Sequence, residues 1–308
     1  MKKPRLSKKA YVIGLDLGGS SVKCVALDEE GTERQRLNIA FDARKAMSWA
    51  RAVASAVRQV KKKQKTGPSW IGISAPGLAA SDGRSIAYMP GRLRGLEGFI
   101  WSEYLGMKKP VPVLNDAQAA LLGEAWIGAG SGCKDLAMVT LGTGVGGAAM
   151  VNGELLRGHI GRAGHLGHTS LDPNGPPDVC GAPGSLEVAM GNCTIKERSK
   201  GKFNTTHALI AAHLKGDEFA SEVWLTSVKA LAAALCSFIN ILDPQRIIIG
   251  GGIARAGAAL FEPLEKFLAP MEWRPGGHRC EIVPAQLGEM AGAFGAARNA
   301  ILQAEASA

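Results

Sequence analysis

Asp16 stands two residues ahead of Gly18-Gly19-Ser20-Ser21, with Lys23 close behind. Glycine lets backbone N–H groups approach phosphate oxygens, hydroxyls add donors, and a carboxylate beside them can hold magnesium through its waters. A Gly-Gly turn alone is more often only a turn. Gly142-Thr143-Gly144 supplies a second turn of the same kind, and two such turns facing one another would clamp a triphosphate. A third cluster, Gly250-Gly251-Gly252, follows an apolar run and is expected to open a helix at Ile253, whose positive end suits a nucleotide. Asn115-Asp116 pairs an amide with a carboxylate. At the carboxyl end of a strand and the start of a helix, the two residues can cap the helix or act on a ligand in the crevice there. The G-x-x-x-x-G-K-[ST] loop is absent, and no dinucleotide fingerprint stands out.

These residues need elements to hold them. Residues 11–17 and 22–27 read as strands of a hairpin around the first glycine turn, and 136–141 and 145–151 repeat the pattern around the second. Two copies half a chain apart predict a duplicated fold. Helical periodicity covers 43–60, 117–126, 218–242, 253–268 and 288–302, with further strands at 69–74, 111–114, 246–249 and 280–283. The class is therefore α/β. Residues 158–187, rich in Gly and Pro, read as a long ordered loop with a function.

Composition narrows the possibilities. The chain has 308 residues, 46% apolar and 20% charged, a globular mix with room for about two domains. Its 40 glycines are close to twice the usual share of about 7%. The net charge of +9 traces to Lys2, Lys3, Arg5, Lys8, Lys9, Lys61, Lys62, Lys63 and Lys65, which leave 27 basic residues against 27 acidic ones. A basic tail and one helix end are expected from this, not a nucleic-acid face. The longest uncharged stretch, 136–153, is too broken by glycine and threonine for a membrane helix, and the apolar run after the basic start is too short for a signal peptide. Six scattered cysteines without a C-x-x-C pair read as small buried hydrophobes of a protein kept reduced in the cytoplasm.

Nine strings in order, "IGLDLGGSSVK", "GISAPG", "LNDAQAALLGEA", "TLGTGVGG", "NGELLRG", "GHLGH", "GSLE", "IIIGGGIARAG" and "LGEMAGAFGAA", resemble the ROK family of sugar kinases within the actin, hexokinase and Hsp70 ATPase superfamily. The likeness runs over residues 12–298. It implies two similar actin-like (ribonuclease H-like) domains around a central cleft. The expected division is a smaller domain at 1–115, with a C-terminal helix near 295–308 packing back on it, and a larger one at 116–294 carrying loop 158–187. By the same resemblance Asp116 is the general base, and Gly77, Asn115, His165, His168 and Glu187 lie around the sugar. Asp16 lies near magnesium. Gly18, Gly19, Ser20, Ser21, Lys23, Gly142, Thr143 and Gly144 face the phosphates, with Gly250 and Gly251 beside the adenosine. The expected function is transfer of the γ-phosphoryl group of ATP, with Mg2+, to a hydroxyl of a hexose or related sugar. The expected protein is a cytoplasmic homodimer without nucleic-acid or membrane partners. Three rivals are weighed. A sugar-responsive repressor would need a helix-turn-helix ahead of the first glycine turn, where only ten residues precede Tyr11. A degenerate sugar-sensing protein and a polyphosphate-using kinase are the others.

Two positions depart from the family pattern. The E-x-G-H element reads His165-Leu166-Gly167-His168, replacing an acceptor-only carboxylate by a ring with one donor and one acceptor. With an ordinary pKa near 6.5, that ring would make sugar affinity vary between about pH 5.5 and 7.5. The C-x-C-x4-C zinc ligands, which act with the histidine matching His168, read Asp178, Cys180 and Ser185. Structural zinc is almost always closed by four Cys or His ligands. His168 and Cys180 are remnants, Asp178 offers a third oxygen, and serine is a poor fourth ligand. Zinc is not expected, and Pro173, Pro176, Pro177 and Pro183 are expected to stiffen the loop instead.

Overall fold

A computed structural model describes residues 10–89 and 91–306; the basic residues of the first nine positions lie outside them. The chain divides into two compact units. One holds the residues up to Gly132 with Arg157–Ala163 and those from Leu287 onward, the other Cys133–Leu156 and Gly164–Gln286.

The first unit opens with β1 (Val12–Leu17), β2 (Ser21–Leu27) and β3 (Glu33–Ala40), followed by α1 (Ser48–Gln64) and β4 (Trp70–Ala75). A small ribbon of β5 (Leu78–Ala79) and β6 (Ile86–Tyr88), then α2 (Trp101–Tyr104), β7 (Val113–Asn115) and α3 (Asp116–Ile127) complete its first part. The second unit contains β8 (Leu136–Leu141), β9 (Val145–Val151), β10 (Glu154–Leu155), α4 (Leu186–Met190), α5 (Ile195–Arg198), α6 (Thr206–His213), α7 (Glu218–Leu242), β11 (Arg246–Gly250), α8 (Ala258–Leu268) and β12 (Glu281–Pro284). The last helix, α9 (Ala291–Ala306), belongs to the first unit.

The duplication read from the glycine hairpins extends to whole sheets. Their strand orders are β3-β2-β1-β4-β7 and β10-β9-β8-β11-β12. In each, an antiparallel hairpin leads into parallel strands, β1 with β4 and β8 with β11. β1 and β8 are central and nearly all buried, which their unbroken apolar runs require. β3 is the edge strand that periodicity misses, because Glu33, Arg34, Gln35 and Arg36 interrupt its apolar pattern. Such charges are usual on an edge.

Several expected boundaries move. The first helix starts at Ser48 and runs on to Gln64, so Lys61, Lys62 and Lys63 lie in its last turn, where cations complement the helix dipole. The expected helix at 253–268 is broken: Ile253–Ala256 is a 3-10 turn, Gly257 has φ 57°, and α8 begins only at Ala258. No α-helix therefore starts on the triple glycine. The strand expected at 111–114 is reduced to β7, after Pro110 and Pro112. The division expected at residue 115 falls beyond α3, because α3 packs along α9. That packing depends on Gly295, where a Cβ would overlap the Ala119 carbonyl. α9 also lies against β1 and β4, and its Ala293, Phe294, Ala297, Ala300 and Ile301 share a core with Val12, Val25 and Leu27.

Among the described residues α7 is the helix long and apolar enough to cross a membrane. Its Trp224, Leu231, Leu235 and Phe238 enter the second unit's core with Leu209, Leu260 and Leu264. All six cysteines are free; Cys24 is buried as expected, whereas Cys180 and Cys193 are exposed.

Candidate functional site

In the first unit the strand ends gather the expected groups. Asp16 on β1 pairs in register with Lys23 across the hairpin and with Ser74 on the parallel β4. The Ser74 hydroxyl donates to Asp16 Oδ1 at 2.7 Å. Burial raises the pKa of Asp16, while that hydrogen bond and Lys23 pull it down. Gly292 of α9 faces the same carboxylate, and a Cβ there would stand 2.7 Å from Asp16 Cγ. Sequence reading missed both Ser74 and Gly292. The signal for Ser74 was its place in "GISAPG", at the strand position parallel to Asp16.

Asn115 ends β7 and caps α3. Its Oδ1 accepts from the amides of Ala117 and Gln118 at 3.0 and 3.3 Å. Its Nδ2 donates to the Gly77 carbonyl at 2.9 Å. The cap thus takes up Oδ1 and Gly77 one N–H of Nδ2; the resemblance has this residue hold a sugar hydroxyl. Asp116 accepts from the Ala117 amide at 2.8 Å and its side chain is open to solvent. The protein around the rest of it withholds much of the hydration that a free carboxylate has. This desolvation, with the negative charge of Asp16 second, raises its pKa to about 6.

The first glycine turn closes with the Gly18 amide donating to the Ser21 carbonyl at 2.9 Å, and the Ser20 carbonyl accepts from Phe41. The second closes with Gly142 donating to Gly144 at 3.0 Å, while the Gly142 and Thr143 carbonyls accept from Asn192 and Cys193. Carbonyls are tied down in both. The amides of Gly19, Ser20, Thr143 and Gly144 have no protein partner among the described residues. Free N–H groups on a turn with anchored carbonyls form an anion-binding concavity.

In the second unit Glu187, in the first turn of α4, accepts from the Val145 amide through Oε2 at 2.9 Å. A Cβ at Gly144 would overlap that oxygen, so the turn's glycine is required by the carboxylate behind it. Glu187 therefore has one oxygen left for a ligand. Gly251 has φ +88° with its backbone pressed on Leu141, which puts the triple glycine beside the end of β8.

His165 and His168 stack at 6.4 Å. His165 Nε2 is buried without a hydrogen-bond partner. Burial, then the neighbouring His168, lowers the His165 pKa. The neutral ring is favoured, and the pH window expected from an ordinary histidine moves to more acidic values. His168 Nδ1 lies 2.8 Å from Asp178 Oδ2, and its Nε2 lies 3.5 Å from Cys180 Sγ. Ligand atoms of these three side chains lie within 4.8 Å of one another. They do not fit structural zinc, because Asp178 and Cys180 stand against different nitrogens of one ring and a single ion cannot occupy both places.

Residues 12–303 match the ROK family model. A glucokinase of Thermotoga maritima is 30% identical, the match covering 94% of this chain and 96% of that protein. An N-acetylmannosamine kinase of Pasteurella multocida is also 30% identical, over 92% and 94%. The crystal structure of a ROK family glucokinase from Streptomyces griseus in complex with glucose and AMPPNP superposes with a TM-score of 0.78 at 26% identity, covering 95% of this chain and 100% of that one. Similarity of this extent joins sequence and fold in one conclusion: the chain belongs to the ROK family and is a carbohydrate kinase of two actin-like domains.

Proposed function

We propose that the chain phosphorylates a hexose or related sugar with ATP and that Asp116 is the general base. The observation that carries this reading is the placing of Asp116, a solvent-reachable carboxylate held by the Ala117 amide at the start of α3 beside the charge of Asp16, which helps to push its pKa up to about 6. Such a group is ionised at neutral pH and is a better proton acceptor than an ordinary carboxylate. It takes the proton of the sugar hydroxyl as that oxygen bonds to the γ-phosphorus; the bond to the bridging oxygen breaks and ADP leaves. The free amides of the two glycine turns bind phosphate oxygens, and Gly250 and Gly251 border the adenosine. Asp16 suits Mg2+, since its Oδ2 has no hydrogen-bond partner among the described residues and the carboxylate shares its surroundings with Asp116. The ion would neutralise phosphate charge there.

On the sugar side, Gly77, Asn115, His165, His168 and the free oxygen of Glu187 contribute contacts. The relatives named above point to a glucose-like aldohexose or an N-acetylhexosamine. The deciding measurement is ADP release over a panel of hexoses, N-acetylhexosamines and ketoses with ATP, repeated with polyphosphate. Turnover of one sugar class with ATP is expected. Silence across the panel would mark a sensing protein, and preference for polyphosphate would replace the donor. Pairing into a homodimer and residence in the cytoplasm complete the proposal, with light scattering as the check on the first.

His165 sets the sugar preference in this reading. Its orphaned Nε2 gains a hydroxyl partner on binding, so His165→Ala is expected to raise the sugar KM about tenfold with a smaller effect on kcat. His165→Glu is expected to shift preference among the panel sugars. Unchanged selectivity in both variants would place His165 outside the sugar contacts.

A further inference from the structure

The loop bearing His165 and His168 is organised around Asp178, whose side chain is 1% exposed. Oδ1 accepts from the amides of Cys180 and Ala182 at 2.8 and 3.0 Å. Oδ2 meets His168 Nδ1 at 2.8 Å, and Ser185 lies beside the carboxylate. These groups come from three stretches of chain: the turn after Asp178, the 3-10 turn ending at His168, and the N-cap of α4. A tetrahedral metal ion would tie together the same stretches.

We propose that Asp178 stands in for the zinc that the family resemblance implies: a buried carboxylate, held by two backbone amides and the His168 ring, is the tie of this loop, and it positions the residues around the sugar. Its reach is traceable. Through His168 it fixes the ring on which His165 stacks. Ser185, beside the carboxylate, accepts from the Val188 amide and so caps α4, whose Glu187 reaches Val145 behind the second glycine turn. The tie is made of hydrogen bonds and is indifferent to chelators. Its effect on sugar binding rests on the kinase reading; its independence from metal does not.

The test begins with elemental analysis and thermal unfolding of the full chain, with and without chelator. No stoichiometric zinc and an unmoved Tm are expected; one zinc per chain, with a Tm that falls on chelation, would overturn the proposal. Asp178→Ala is expected to lower Tm and raise the sugar KM about tenfold or more, with kcat and the nucleotide KM changed far less. Asp178→Asn, which keeps Oδ1 as an acceptor, should fall between. If Asp178→Ala changes neither Tm nor the sugar KM, Asp178 positions nothing. Finally, Asp178→Cys with Ser185→Cys is expected to take up one zinc per chain together with Cys180 and His168, making Tm chelator-sensitive. Should that variant fail to fold, the metal content and chelator response of the parent still decide. Both are read without sugar, so they stand even where no sugar of the panel is turned over.

Discussion

Asp116→Asn is expected to lower kcat by about 10²- to 10⁴-fold, the range credited to a general base, with nucleotide affinity nearly unchanged. The amide keeps the shape and the hydrogen bond from Ala117 but cannot accept the proton. In the parent, kcat/KM should fall as pH drops through about 6, where Asp116 protonates. Stability should move the other way. A carboxyl whose folded pKa is raised costs nothing below its unfolded value near 4 and costs most above its folded value, about 6. Asp116→Asn removes that cost, so its Tm at neutral pH should equal or exceed the parent's. Rates near those of the parent would reduce Asp116 to part of a helix start.

Gly295→Val is expected to be the most damaging single change to the first unit. Its side chain would collide with the Ala119 carbonyl and force α9 away from α3, an overpacking that costs about 3 kcal/mol or more. At roughly 2–4 °C per kcal/mol for a domain of this size, Tm should fall by about 10 °C. Activity should fall with it, because Gly292 on the same helix faces Asp16. A parent-like unfolding curve would show that the two helices do not depend on this close approach.

Much of this was legible in advance. Both glycine hairpins, α7 and the start of α3 were readable because apolar runs and caps are local signals. The edge strand β3 was not, since solvent on one side relaxes its pattern, and neither was the 3-10 turn after the triple glycine, which Gly257 decides through its own φ. In the candidate site, residue types were readable and bonding was not. The cap that Asn115 makes with Ala117 and Gln118 is local, but its bond to Gly77 is not. Asp178 looked like a spare ligand, yet its carboxylate is tied to His168 in the folded loop. Asn115–Gly77 and Asp178–His168 span 38 and 10 residues, separations that no periodicity records.

The place of α9 in the chain bears on how the protein is made. The strands that it covers, β1 and β4, leave the ribosome before the second unit, and α9 follows only after the whole of it. At 5–20 residues per second, the roughly 215 residues between β4 and α9 take about 10–40 s to synthesise, and for that time the faces of β1 and β4 that receive α9 lack their partner. The second unit can close in the interval, so the N-terminal half is the later of the two to mature. Shortening the chain by α9 would therefore unfold its beginning, and a nascent chain stalled before residue 291 should be a substrate for chaperones that hold exposed apolar strands.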